Sequence, residues 1–156
     1  MDFNQINKRR TAGRRLKKAY RRIEALLYEI GDKQLSYAFV TEVNRQIAGI
    51  NNFQENDRLL AAHINQLYEE LLTELERDFE LVPKNYFQQK WLLYGVSVIG
   101  LPIGLIIAII NHIPGNIILG LPIGLLIGLL IGIEKDKNAK RENRQLQVEH
   151  IEHDLL

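Results

Sequence analysis

The side chains able to do chemistry in this chain are few and scattered. There is no cysteine, which excludes disulfides, thiolate metal sites and a thiol nucleophile, and suits a reducing compartment. The histidines are His63, His112, His150 and His153. His150 and His153 stand three apart beside Glu149, Glu152 and Asp154, a spacing that could offer two ring nitrogens and a carboxylate to one metal ion. No further ligand is placed by the sequence, so a solvated polar tail is the better reading, and no metal or cofactor is expected. His63 sits one position before Ile64 at the border of an apolar stripe, and His112 falls in a short turn between two apolar runs, where a solvated imidazole is the plain reading. There is no G-x-S-x-G elbow, no phosphate-cradling P-loop and no H-E-x-x-H. No catalytic residue is assigned, and the chain does not read as an enzyme.

Positive charge is the one concentrated chemical feature. Arg9, Arg10, Arg14, Arg15, Lys17, Lys18, Arg21 and Arg22, with Lys8 before them, lie in a stretch from Phe3 to Ile23 that holds no Asp or Glu. Such cations pair with phosphate or carboxylate oxygens, so these residues are candidate contacts for anionic lipid headgroups or an acidic protein partner, each gaining about 1 kcal/mol near an anionic leaflet. Nucleic acid is disfavoured, because Tyr20 is the only mid-helix aromatic and no base-reading motif is present. The competing reading is internal. Glu55, Asp57, Glu69, Glu70, Glu74, Glu76, Asp78 and Glu80 dominate a later stretch that holds only Arg58 and Arg77, and the two could neutralise each other by packing.

Three amphipathic helices would carry these charges. The first is expected over residues 5–30, with Ala12, Leu16, Ala19, Ile23, Leu26 and Ile30 forming an apolar stripe and Gly31 ending it. The second is expected from a cap at Asp32 to Ile50, with Val40, Val43, Ile47 and Ile50 inward. The third runs over 53–81 behind Asn52 and Glu55 at capping-box spacing, with Leu60, Ile64, Leu67, Leu71, Leu75 and Phe79 on one side. A small antiparallel bundle or coiled coil over 1–82 would bury all three stripes.

From Trp91 to Ile133 the chain contains no Asp, Glu, Lys or Arg. A helix needs roughly 20 apolar residues to cross a hydrocarbon core about 30 Å thick, and two such spans fit, at 91–110 and 114–133. Asn111, His112 and Ile113 form the turn between them, so residues 83–133 make a transmembrane helical hairpin and 134–156 a charged tail. Pro83 interrupts the passage into the first span. Lys84 and Lys90 precede the first span and Lys135, Lys137, Lys140, Arg141 and Arg144 follow the second, which by the positive-inside rule puts both termini in the cytoplasm. Tyr86, Phe87, Trp91 and Tyr94 are placed as anchors at the inner interface.

Gly-Leu-Pro-Ile-Gly-Leu occurs twice, from Gly100 and from Gly120, which sets the kinking residues Pro102 and Pro122 at one depth. Antiparallel pairing then faces Gly104 with Gly120 and Gly100 with Gly124. Gly128 and Gly132 extend the second helix's glycine face past the reach of Gly95, Gly100 and Gly104, which leaves surface for another copy. The repeat, the glycine run and the lysine-rich 134–145 segment resemble small two-span glycine-zipper membrane proteins of bacteria, over residues 88 to 146. The resemblance implies a bacterial inner-membrane protein that associates through glycine faces, and it brings no catalytic residues.

The expected fold is therefore all-α: a cytoplasmic three-helix bundle followed by a transmembrane glycine-zipper hairpin, multi-pass in the inner membrane. The expected role is a self-associating helical scaffold or interaction protein, its partners being the bilayer, further copies and a protein held at the cytoplasmic helices. The alternative is an oligomeric pore-forming or channel-like subunit, of toxin or defence-effector type, gated by those helices. No ionisable residue lies deep in either span, which weighs against an aqueous pathway.

Overall fold

The computed structural model describes residues 2–149. The described chain is α-helical apart from two short strands: α1 (Arg14–Gly31), α2 (Tyr37–Asn51), α3 (Asp57–Phe79), β1 (Val82–Lys84), α4 (Tyr86–Tyr94), α5 (Leu101–Asn111), α6 (Gly120–Arg141) and β2 (Gln145–Glu149). A π-helical turn over Gly95–Gly100 joins α4 to α5, and a 3-10 segment over Pro114–Leu119 leads into α6. The chain forms two compact units, one from the residues up to Val82 together with the chain from Leu146, the other Pro83–Gln145. His150 and His153, with the metal question attached to them, lie outside the described residues.

In the first unit the three apolar stripes close on one core. Leu16, Ile23, Leu26 and Ile30 of α1, Val43 and Ile47 of α2, and Leu60, Ile64, Leu71 and Leu75 of α3 are buried in a single cluster. Tyr20 and Tyr68 are also fully buried there. Ion pairing of Arg9 with Asp57 at 2.9 Å joins the starts of α1 and α3, while the Phe39 and Phe79 rings, 5.2 Å apart, join the start of α2 to the end of α3. α1 and α3 therefore run the same way and α2 runs against them.

The boundaries differ from expectation where local hydrogen bonding decides them. Residues 2–13 are not helical: the Asn44 and Asn51 side chains of α2 hydrogen-bond the backbone of residues 2–7, a turn closes with the Ala12 N–H on Arg9 O at 3.2 Å, and α1 begins only after Gly13. Ser36, not Asp32, caps α2, its Oγ accepting from the Phe39 N–H at 3.2 Å. Asn56, not Asn52, caps α3, its Oδ1 accepting from the Leu59 N–H at 2.9 Å, because α2 itself runs on to Asn51. α3 stops at Phe79 with Glu80 in the left-handed region (φ 55°) and the Leu81 N–H turned back to Leu75 O at 3.0 Å.

The segment after Ile133 also departs from a solvated tail. α6 continues to Arg141, and after a turn with Asn143 at φ 58° the chain becomes β2, the hydrogen-bonded neighbour of β1. Leu146 and Val148 alternate inward on this strand and complete the first unit's core, while the Gln147 N–H donates to the Glu29 carboxylate at 3.2 Å. Against a helical template these two residues look sparse. A strand's period of two is the pattern that fits them.

The second unit is a helical hairpin. Tyr86–Asn111 is a helical run of 26 residues and Pro114–Arg141 one of 28, both long and apolar enough to cross a membrane. His112 ends the first run in the left-handed conformation (φ 53°) usually filled by Gly or Asn, and the Ile113 N–H returns to Ala108 O at 3.2 Å.

Candidate functional site

The hairpin's contact surface is made of backbone. A methyl group built on Gly124 would lie 2.6 Å from Gly100 Cα, one on Gly100 would lie 2.9 Å from Gly120 O, and one on Gly132 would lie 2.6 Å from Gln88 Cα. Equivalent groups on Gly95, Gly104, Gly120 and Gly128 would also come inside 3.0 Å of Gly124, Ile117, Gly100 and Trp91 respectively, in each case against main chain that cannot move aside like a flexible side chain. Every glycine of the α6 run, from Gly120 to Gly132, is thus covered by the preceding helix. Surface expected to remain for a second copy is filled within the hairpin, because Trp91 and Gln88 present bare backbone where that helix has no more glycines.

The π turn reconciles two mismatched spacings. The first helix meets α6 at Trp91, Gly95, Gly100 and Gly104, whereas α6 answers with glycines at a strict spacing of four. At about 100° per residue, five α-helical steps would turn Gly100 roughly 140° away from Gly95. An i→i+5 turn absorbs the extra residue and restores one face. It ends immediately before Leu101 and Pro102, whose ring would crowd the carbonyl four residues back in an unbroken α-helix. The Ser97 hydroxyl donates to Leu93 O within this disturbed stretch, giving that carbonyl a side-chain partner. Pro122 lies in the first turn of α6, just after the 3-10 segment, where a proline is tolerated. Both prolines therefore stand at changes of helical type.

At the opposite end from the turn, Asp136 closes the hairpin. It is 8% exposed, and its two carboxylate oxygens accept from the Phe87 N–H at 3.1 Å and the Gln88 N–H at 3.0 Å. Those donors belong to the first turn of α4, whose own N-cap Asn85 makes no side-chain cap. A carboxylate from α6 thus caps α4, satisfying orphan N–H groups at the positive end of its dipole. Sequence reasoning missed Asp136 among the surrounding lysines. Gly120, Gly124, Gly128, Gly132 and Asp136 follow one step of four, and that continuation was the available signal.

Tyr86, Phe87, Trp91 and Tyr94 gather at this same end. Tyr86 and Phe87 meet edge to face at 5.3 Å, and Trp91 and Tyr94 are 6.2 Å apart. Lys90 Nζ donates to the Tyr86 hydroxyl at 2.9 Å, and Lys135 Nζ stands over the Trp91 ring at 5.5 Å and the Phe87 ring at 5.9 Å. Aromatic rings, flanking cations and a capped helix start form one collar.

The cationic residues divide in the first unit. Arg9 is half-buried and committed inward: its guanidinium pairs with Asp57 and donates to Phe53 O at 2.7 Å, while the other Asp57 oxygen accepts from the Gly13 N–H at 3.1 Å. These bonds, the Gly13 amide first and Arg9 second, hold the Asp57 carboxyl below its ordinary range. Lys8 pairs with Glu24 at 2.7 Å. Arg10, Arg14, Arg15, Lys17, Lys18 and Arg21 are exposed and Arg22 is half-exposed, and on α1 these side chains project from the faces not occupied by Leu16, Ile23 and Ile30. His63 is exposed and stacks on Phe53 at 5.5 Å. Among the described residues no group of His, Asp and Glu is arranged to hold a metal ion.

No family model, curated protein or solved structure matches this chain, so its function has to be argued from its own residues.

Proposed function

We propose that this is a membrane-anchored helical interaction protein: the Pro83–Gln145 hairpin spans the inner membrane as a glycine zipper, and the three-helix unit works in the cytoplasm as a recruiting module. The observation that carries this reading is the pairing of two apolar helices of spanning length through glycine backbone, collared at one end by aromatic and cationic side chains. Lipid gives no hydrophobic drive for helices to associate, so close backbone packing is the means available, and this hairpin has it along its length. Interfacial aromatics and flanking lysines favour the collar as the cytoplasmic boundary, with His112 at the far side and both ends of the hairpin inside.

The exposed cations of α1 are proposed to meet anionic headgroups or an acidic protein. Arg9 is left out of that set because Asp57 and Phe53 already hold it. The bundle's stripes of heptad type support a coiled-coil description. Association between copies would use the apolar outer faces, since the glycine face is taken. The same contacts favour the anchor over the pore reading, because a backbone-lined lumen would need the glycines that here contact the neighbouring helix.

Expression followed by alkaline carbonate extraction tests the anchor, and dye-loaded liposomes test the alternative. The chain should stay in the pellet until detergent is added, and reconstituted liposomes should keep their dye. Release into the carbonate supernatant would remove the anchor. Dye leakage abolished by Gly124→Leu with Gly128→Leu would restore the pore.

A further inference from the structure

The non-helical segment 2–7 is bound to α2 through its backbone, in the manner of a peptide ligand. Asn44 Oδ1 accepts from the Asn4 N–H at 2.7 Å and Asn44 Nδ2 donates to Asp2 O at 3.4 Å. Asn51 repeats the arrangement three residues on, accepting from the Asn7 N–H at 2.7 Å and donating to Gln5 O at 3.0 Å. Each side-chain amide reads the backbone of residues i and i+2, as a neighbouring β-strand would. The spacing matches the ligand: seven residues of helix rise about 10.5 Å, and three residues of extended chain cover about 10 Å. Backbone bonds of this kind do not depend on the identity of the bound side chains. Selectivity falls to Phe3 and Ile6, the side chains of the segment that pack on the core.

Seating of the segment is incomplete. Asp2, Asn4, Gln5 and Asn7 are exposed, all four of these hydrogen bonds are exposed, and an open groove of about 810 Å³ remains between the segment and Leu27 and Tyr28 of α1. Exposed bonds and two apolar contacts barely offset the entropy of ordering six residues, so release of this segment is far easier than unfolding of the core. Tyr37 stands two turns before Asn44 on the same line of α2 and is 77% exposed, in reach of a ligand longer than residues 2–7.

We infer that the α2 surface from Asn44 to Asn51 is a recognition site for an extended peptide of a partner protein, with large apolar side chains three residues apart, and that the chain's own residues 2–7 occupy it in cis. A second copy is the weaker occupant, because every copy carries its own segment at high effective concentration and leaves its site filled. The inference builds on the reading of the first unit as an interaction module and does not depend on where the hairpin lies.

The test uses the full chain in mild detergent, with a fluorescent peptide of residues 2–12 as probe. A Phe3→Ser, Ile6→Ser variant, its own segment loosened, should bind the peptide at least tenfold more tightly than the wild type. Adding Asn44→Leu and Asn51→Leu should remove that binding. Absence of binding to the loosened variant, at an unchanged melting temperature, would overturn the site, as would equal binding with and without the two asparagines. Should the variants not fold, hydrogen exchange of the wild type decides: the Asn4 and Asn7 amides should exchange at least a hundredfold faster than amides at the centre of α1 and faster still with excess peptide. Exchange of those two amides only by global unfolding would make the segment a fixed part of the fold and end the proposal. Release into the carbonate supernatant with intact peptide binding would remove the membrane anchor alone.

Discussion

Two aspartates illustrate how single residues fix this chain. Asp57 collects the Gly13 amide and the Arg9 guanidinium, and its depressed folded-state pKa means that the unfolded state binds the proton more readily. The stability it contributes is present above the ordinary carboxylate value of about 4 and is lost as pH falls through the lower folded value. The melting-temperature difference between wild type and Asp57→Asn should therefore shrink from pH 7 to pH 3; a difference independent of pH would assign Asp57 a purely steric part. Asp136 works by capping α4 across the hairpin, so Asp136→Ala should destabilise the hairpin by about 1–2 kcal/mol in detergent unfolding, with Asp136→Asn recovering part of the loss. Both roles depend on backbone donors from segments more than forty positions away, so the sequence hides that of Asp57 and marks Asp136 only by its place in the step of four after Gly132.

Among elements, helices with a clear apolar period were legible and their ends were not. The stripes of α1, α2 and α3 lie in the core as their spacing implied, yet the expected first helix, read from the stripe of Ala12 to Ile30, reached back to residue 5, where the chain is not helical. Asn44 and Asn51 supply alternative partners for the backbone there. The glycine pairing of Gly100 with Gly124 and Gly104 with Gly120 followed from the repeat, whereas the π turn did not, because it answers a mismatch between the two helices. That turn yields a contrast. Deleting Val98 removes the surplus residue and should leave the hairpin paired, while deleting Ile123 between two α6 glycines should abolish the cooperative unfolding transition in detergent; the reverse order would refute the register. Gly124→Ala should cost roughly 1–3 kcal/mol by forcing the helices apart. Gly49→Ala, on the open face of α2 where nothing lies within 4 Å of the new methyl, should stabilise the first unit by about 0.5–1 kcal/mol.

For the whole molecule, the notable feature is that the chain leaves the first unit at Val82 and re-enters it at Leu146. The hairpin is thus an insertion within one folded unit, and a truncation after Gln145 should lower the first unit's melting temperature by removing Leu146 and Val148 from its core. Both passages are on one side of a hairpin whose turn is at the other end, a connectivity that suits two crossings of a bilayer. The lack of any native cysteine allows that topology to be read with single introduced thiols. Asn116→Cys at the turn and Lys137→Cys near the collar should be modified from opposite faces of sealed membrane vesicles by an impermeant maleimide. Labelling of both positions from the same face would contradict a hairpin that spans the membrane.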